Sequence, residues 1–372
     1  MRVTVLNLAG NEVAAIDDAE ACWTKLDVCA RLDCAPGALL AWARLILDFE
    51  ELAGDATLAA LGATEAAQLH LILSRPGYIA TASADCTCRL WDSRTGDCIR
   101  VLEGHTGPVN TAVFSPDGTQ LLTASDDRTA RVWHVDSGAQ SLVLAGHTHW
   151  VRSGVFSSDG AMVLTASWDG SAMIWSAACG EVLHMIQEEN ARAMRSAVFS
   201  PDGSQLLTVA WDSSAKVWAL ASLTCIRRFD GHGHFVRSAA FSPDGMQVLT
   251  GSDDHLGKLW DVASGECLCS CAGHRYSVLS AAFSPDGSLV VSASSDKTAK
   301  VWCPSTGECL ATLCGHDYAV SSASFSPDGA RILTSSEDCT ARLWSADSGE
   351  CLLKLAGHKA AVHSAAFSPN VW

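Results

Sequence analysis

The chain has 372 residues, 48 % of them hydrophobic, enough to bury a substantial core or two. Its formal net charge is −16, from 41 acidic and 25 basic side chains; such a surface repels nucleic acid and anionic membrane, so other proteins are the expected partners. No run reaches the ~18 uncharged apolar residues of a membrane span, and Met1–Leu8 alternates like a strand where a secretory signal would have an apolar core, so a cytoplasmic or nuclear setting is expected.

In chain order, residues 1–73 read as a strand (2–8), a turn at Gly10-Asn11, a strand (12–16), a helix (about 20–31), short strands and a last strand (68–73). That order predicts an α+β domain with a helix across a sheet. The text also resembles ubiquitin-like (β-grasp) domains. Met1–Gly10 matches their opening hairpin, Arg44–Leu47 and Thr57-Leu58 their middle, and Gln68–Leu73 their last strand. The resemblance implies an apolar partner-binding patch at Leu8, Ile46 and Ile72 with His70 beside it; the alternative is that some of these pack against the neighbouring domain. No Gly-Gly follows Leu73, so conjugation in the manner of ubiquitin is not expected. Ser74-Arg75-Pro76-Gly77 is a short linker.

Residues 76–372 repeat. Trp91, Trp133, Trp175, Trp218, Trp260, Trp302 and Trp344 are separated by 42, 42, 43, 42, 42 and 42 residues. Val109–Trp133 reads VNTAVFSPDGTQLLTASDDRTARVW, and Val278–Trp302 reads VLSAAFSPDGSLVVSASSDKTAKVW. Each unit offers an alternating strand, a Ser-Pro-Asp-Gly turn, an apolar strand, a polar turn, a strand ending in Trp, a Ser-Gly or Thr-Gly turn, an outer strand and Gly-His. One such four-stranded sheet cannot bury both faces, so the units must stack. The pattern resembles the WD40 family, which implies a mainly β, seven-bladed propeller.

The same resemblance implies a polar network in each blade, linking the Gly-His histidine, a strand Ser or Thr, a turn aspartate and the tryptophan NH. With the serine taken eight residues before Trp, blade two supplies His105, Ser125, Asp127 and Trp133, and blade three His147, Ser167, Asp169 and Trp175. Blade five supplies His232, Ser252, Asp254 and Trp260; blade six His274, Ser294, Asp296 and Trp302; blade seven His316, Ser336, Asp338 and Trp344. Blade four departs, with Ala210 at the serine position and Glu189-Asn190 in place of Gly-His. A Ser–His–Asp set invites a catalytic reading, but its recurrence beside a tryptophan reads as structure. Blade one has Ser83, Asp85 and Trp91 but no preceding Gly-His, while the last segment has His358 and a first strand. The C-terminal strand is therefore expected to complete blade one, closing the ring and removing two open edges; Leu69–Leu73 is the rival for that place.

Five of the 16 cysteines, Cys98, Cys225, Cys267, Cys309 and Cys351, lie seven residues after a repeat Trp. Spread round a ring, they read as half-buried strand residues, and no metal or other cofactor is expected.

The repeat also exposes its own departures. Equivalent positions one residue into the inner strands hold Asn110, Arg152, Arg195, Arg237, Leu279, Ser321 and His363. The residues before the turn aspartates are Ala84, Asp126, Trp168, Trp211, Asp253, Ser295 and Glu337. Just after Gly-His, or at its equivalent, stand Trp150, Phe235, Tyr276 and Tyr318. Arg152, Arg195 and Arg237 beside Trp168 and Trp211 suit an acidic or phosphorylated peptide; otherwise the arginines pair with Asp126, Asp253 or Glu337. Trp91-Asp92-Ser93-Arg94 resembles the WDxR box of cullin-4 ligase receptors, which implies an adaptor contact at Arg94. The expected role is a non-catalytic adaptor holding one protein on the propeller and another on the N-terminal module. A cullin-4 substrate receptor, a Notchless-type ribosome-assembly factor and, last, a propeller enzyme are the alternatives.

Overall fold

A computed structural model describes residues 77–187 and 193–369 in full, and the strand backbones at 3–6, 12–16, 43–47, 50–51 and 68–73. Contacts divide the chain into two units, Met1–Pro76 and Gly77–Asn370. In the first, five strands form one sheet. Val3–Leu6 pairs antiparallel with Glu12–Ile16 and parallel with Gln68–Leu73, which pairs in turn with Ala43–Leu47; Glu50–Glu51 lies at the far edge. Ile46 stands opposite His70, two residues from Ile72. Leu8 and the helix expected over 20–31 lie outside the described residues.

The second unit consists of seven four-stranded antiparallel sheets, and it is a seven-bladed β-propeller. Blade two shows the plan: inner strand Val109–Phe114, then Gln120–Ser125, Thr129–His134 and outer strand Gln140–Ala145. Inner strands of successive blades contact one another around a central channel. The second strand of each blade is buried almost throughout, since it is covered on both faces, whereas the outer strand is largely exposed. The turn Ser115-Pro116-Asp117-Gly118 is closed by Ser115 Oγ donating to Asp117 at 2.6 Å, with Gly118 at φ +69°, a conformation that a side chain disfavours.

The core lies between blades, as expected of sheets that cannot stand alone. Leu122, Val132 and Leu144 of blade two pack on Val151, Val163 and Trp175 of blade three. Leu333, Leu343 and Leu355 of blade seven pack on Ile79 and Trp91 of blade one. The ring is closed noncovalently by Val362–Phe367, which pairs with Tyr78–Ser83 from Val362↔Ser83 to Phe367↔Ile79. His358 at its head reaches Asp85 at 2.9 Å and Thr81 at 2.7 Å. Among the described residues no helix is long and apolar enough to cross a membrane.

Two expectations are corrected. The hydroxyl that joins histidine to tryptophan is not the serine eight residues before Trp but the residue ten before it. In blade two His105 Nε2 meets Thr123 Oγ1 at 2.8 Å, and Trp133 Nε1 donates to the same oxygen at 2.8 Å. Register explains it. Trp133 stands opposite Leu121, so Thr123 is its diagonal neighbour, while Ser125 lies roughly 13 Å along the strand. Ser125 instead donates to the Gly107 carbonyl and accepts from the Asp127 N–H. Ser83, Ser167, Ser252, Ser294 and Ser336 likewise serve the turn and not the histidine. Second, Cys98, Cys225, Cys267, Cys309 and Cys351 are exposed, not half-buried, because they lie at the start of the outer strands, first in four and second in Thr224–Phe229.

Candidate protein-binding face

The histidine networks lie inside the blades and hold the loops that frame one end of the channel. Histidine Nδ1 bonds the turn aspartate at 2.7 Å in blades two, five and seven, 2.8 Å in blade six and 2.9 Å in blades one and three. Burial opposes ionisation of Asp85, yet bonds from Thr87, the Lys359 N–H and His358 outweigh it and hold the carboxyl well below the usual range. Burial dominates at His232, His274, His316 and His358, whose pKa values fall below 6.5 despite the facing carboxylates. Both nitrogens of these rings are engaged, and the rings and the hydroxyls they meet, Ser292 of blade six among them, are buried beside a tryptophan, as structural links are.

Blade four keeps half of this. Trp218 donates to Thr208 at 2.8 Å, but Asp212 is met by Lys216 at 3.1 Å and Arg228 at 3.6 Å. Glu189-Asn190 lies outside the described residues.

At the loop-bearing end of the channel a recess of about 420 Å³ is bordered by Asn110, Arg152, Arg195, Arg237, Asp253, Glu337 and His363. Two of its arginines are tied. Arg152 meets Asp126 at 3.1 Å, and Arg237 grips Asp253 through Nε at 2.8 Å and Nη2 at 2.6 Å. Asn110 fixes Asp126 from the other side at 2.7 Å. The alternative pairing of arginines with aspartates therefore holds for these two. Arg195, between them, has no carboxylate within salt-bridge distance among the described residues. Burial, then the neighbouring Arg152 and Arg237, push its pKa down to about 9, so it remains a cation at neutral pH. His363 donates from Nδ1 to the Val109 carbonyl, 3.2 Å away, and burial with nearby Arg152 lowers its pKa.

Beside the recess the aromatic residues of blades three to five form one strip. Ring centroids are 4.8 Å apart for Trp150 and Trp168, 4.7 Å for Trp168 and Trp211, and 5.3 Å for Trp211 and Phe235. His149 and His234 extend its two ends. Arg152 lies 5.1 Å from the Trp168 ring centre, a cation–π contact that joins strip and recess. Tyr276 and Tyr318 are not part of the strip; each is 60 % exposed on the following blades. Arg94 projects from a turn after blade one's tryptophan strand, 64 % exposed and 3.6 Å from Asp92. A larger recess, about 770 Å³, lies between blades five and six, but its Asp244 and Asp286 are engaged by Ser242 and Ser284 of their own turns. At the opposite end of the channel, Phe114, Phe156, Phe199, Phe241 and Phe367 border an apolar recess.

Sequence reasoning missed the linking hydroxyls Thr81, Thr123, Thr165, Thr208, Thr250, Ser292 and Thr334. The signal was present, since a hydroxyl stands ten residues before every repeat Trp, including blade four's.

Comparison with known proteins agrees with this architecture. The model of the WD domain, G-beta repeat, matches residues 72–92, 96–134, 138–176, 180–219, 223–261, 265–303 and 307–345, and the chain belongs to that family. Among curated relatives it is similar to a nuclear distribution protein PAC1 of Mycosarcoma maydis, 47 % identical over 45 residues, covering 12 % of this chain and 10 % of the relative. It is 46 % identical over 46 residues to a guanine nucleotide-binding protein subunit beta of Arabidopsis thaliana, covering 12 % of each. To a eukaryotic translation initiation factor 3 subunit I of Aspergillus terreus it is 52 % identical over 44 residues, 12 % of this chain and 13 % of the relative. Each match thus spans about one repeat and about a tenth of the relative's length. A WD40 propeller of this kind fits a protein-interaction scaffold.

Proposed function

We propose that the chain is a non-catalytic adaptor whose propeller grips an acidic or phosphorylated segment of a protein partner at the loop-bearing end of the channel. The observation that carries this reading is Arg195. Its neighbours are already neutralised by Asp126 and Asp253, while it remains a part-buried cation with no carboxylate in salt-bridge distance among the described residues, where an incoming anion gains most. The net charge of −16 makes this local cation selective, since the rest of the surface repels anions. The test is Arg195→Gln in the full chain, which leaves both existing ion pairs in place. Affinity for the captured acidic partner should fall by ~30-fold, about 2 kcal/mol, the scale of an interface hot spot. Unchanged affinity would remove the reading.

The N-terminal unit is read as a ubiquitin-like module that holds a second protein through Leu8, Ile46, His70 and Ile72. Its strand order, with first and last strands parallel at the centre, supports this. A second reading, a cullin-4 substrate receptor, draws support from the exposure of Arg94. Recovery of the ligase's adaptor by the chain and its loss in Arg94→Ala would favour it; no recovery would dismiss it.

A further inference from the structure

We propose that the aromatic strip of blades three to five reads an apolar side chain placed next to the acidic residue, so that the partner is an extended segment with two anchors: an anion at Arg195 and an apolar group on Trp150, Trp168 and Trp211. This rests on the adaptor reading above and names the kind of segment it takes.

Three observations carry it. First, the repeat acts as its own control. The position before the turn aspartate is small or polar in five blades and tryptophan only in blades three and four, two of the three blades that carry the arginines. Packing of the blades does not demand tryptophan there, because the other five close without it. Second, the rings form a continuous surface from blade to blade, with Trp150 still 38 % exposed and Trp168 and Trp211 only half-buried. Such a surface loses free energy in water and regains it when covered. Third, strip and recess are contiguous, since Arg152 borders the recess together with Arg195 and also lies against the Trp168 ring. A peptide in extended conformation advances about 3.3 Å per residue, so one segment can place an acid in the recess and an apolar residue on the strip within a few positions. The rings are packed against one another at 4.7–4.8 Å, which leaves no gap for a caged cation and favours a ligand laid across them.

The experiment uses the full chain and fluorescent synthetic eleven-residue peptides with a central phosphoserine in a Gly/Ser background, in which leucine or phenylalanine is scanned through each flanking position. Anisotropy should show tightening of about tenfold or more at one or two positions on one side of the phosphoserine. In Trp150→Ala, at an exposed position, and in Trp168→Ala the ratio of the two peptides' affinities should fall to about one, whatever either variant does to the Gly/Ser peptide itself. Binding of the Gly/Ser peptide with no gain at any position, or a gain that survives both variants, would overturn this inference and leave the adaptor reading standing. Failure of every phosphopeptide to bind would remove both. Displacement of the peptide by an equal concentration of a single-stranded oligonucleotide would also overturn it, showing the strip to be a base-stacking platform.

Discussion

Blade two and blade four are built on the same four strands and solve the same problem differently. In blade two His105 ties Asp127 to Thr123, so the carboxylate, the imidazole, the hydroxyl and the Trp133 indole satisfy one another in series. In blade four the Thr208–Trp218 bond stands without any described histidine, and Asp212 turns to Lys216 and Arg228. The difference teaches that the hydroxyl–indole bond is the part of the network that every blade keeps, whereas the turn aspartate, which in blade two meets both His105 and, at 3.8 Å, Arg131, is held in blade four, among the described residues, by Lys216 and Arg228. It also divides the blades by how acid should affect them.

Acid is expected to have the largest effect, because it acts on several blades at once. His232, His274, His316 and His358 have folded pKa values below 6.5, so between the two values the unfolded chain binds more protons. Stability should be complete above about pH 6.5 and decline as pH falls below it. Asp85 and Asp254, held low in the fold, add a second loss below their ordinary 3.8. Urea midpoints measured from pH 7.5 to 4.5 should fall with pH; a flat profile would show that these imidazoles are not kept neutral. Next in size is Thr123→Val, which orphans both His105 and Trp133 at about 1–3 kcal/mol for each buried partner. Thr208→Val in blade four orphans Trp218 alone and should cost about half as much. Equal losses in chemical denaturation would break the comparison. Smallest is Ser125→Ala, which removes the hydroxyl's bonds to the Gly107 carbonyl and the Asp127 N–H at the edge of the turn and should cost about 1 kcal/mol. A larger loss than Thr123→Val would mean that the serine, after all, is the central hydroxyl.

Much of the propeller was legible because a repeat averages out accident: seven tryptophans at near-constant spacing allow one strand pattern, and a blade with one uncovered face must stack. The serine was misassigned for a local reason. Thr123 and Ser125 point to the same side of one strand, so alternation alone cannot choose between them; only cross-strand register, with Leu121 opposite Trp133, does so. At the candidate site, the sequence placed three arginines at equivalent positions but could not say which were neutralised. That depends on Asp126 of blade two reaching Arg152 of blade three, and on Asp253 serving Arg237 within blade five. Nor could it show that Trp150, Trp168, Trp211 and Phe235, scattered over 86 positions, form one surface.

The pairing of Val362–Phe367 with Tyr78–Ser83 has a consequence for how the protein is made. The second strand of the first blade is translated before the other six blades, and its inner neighbour only after them. Until then Tyr78–Ser83 presents an unpaired edge, and a nascent chain of six finished blades has two sticky ends. Closure joins residues far apart in sequence, which slows the final step. Synthesis therefore carries a window of vulnerability that shuts only when Val362–Phe367 arrives.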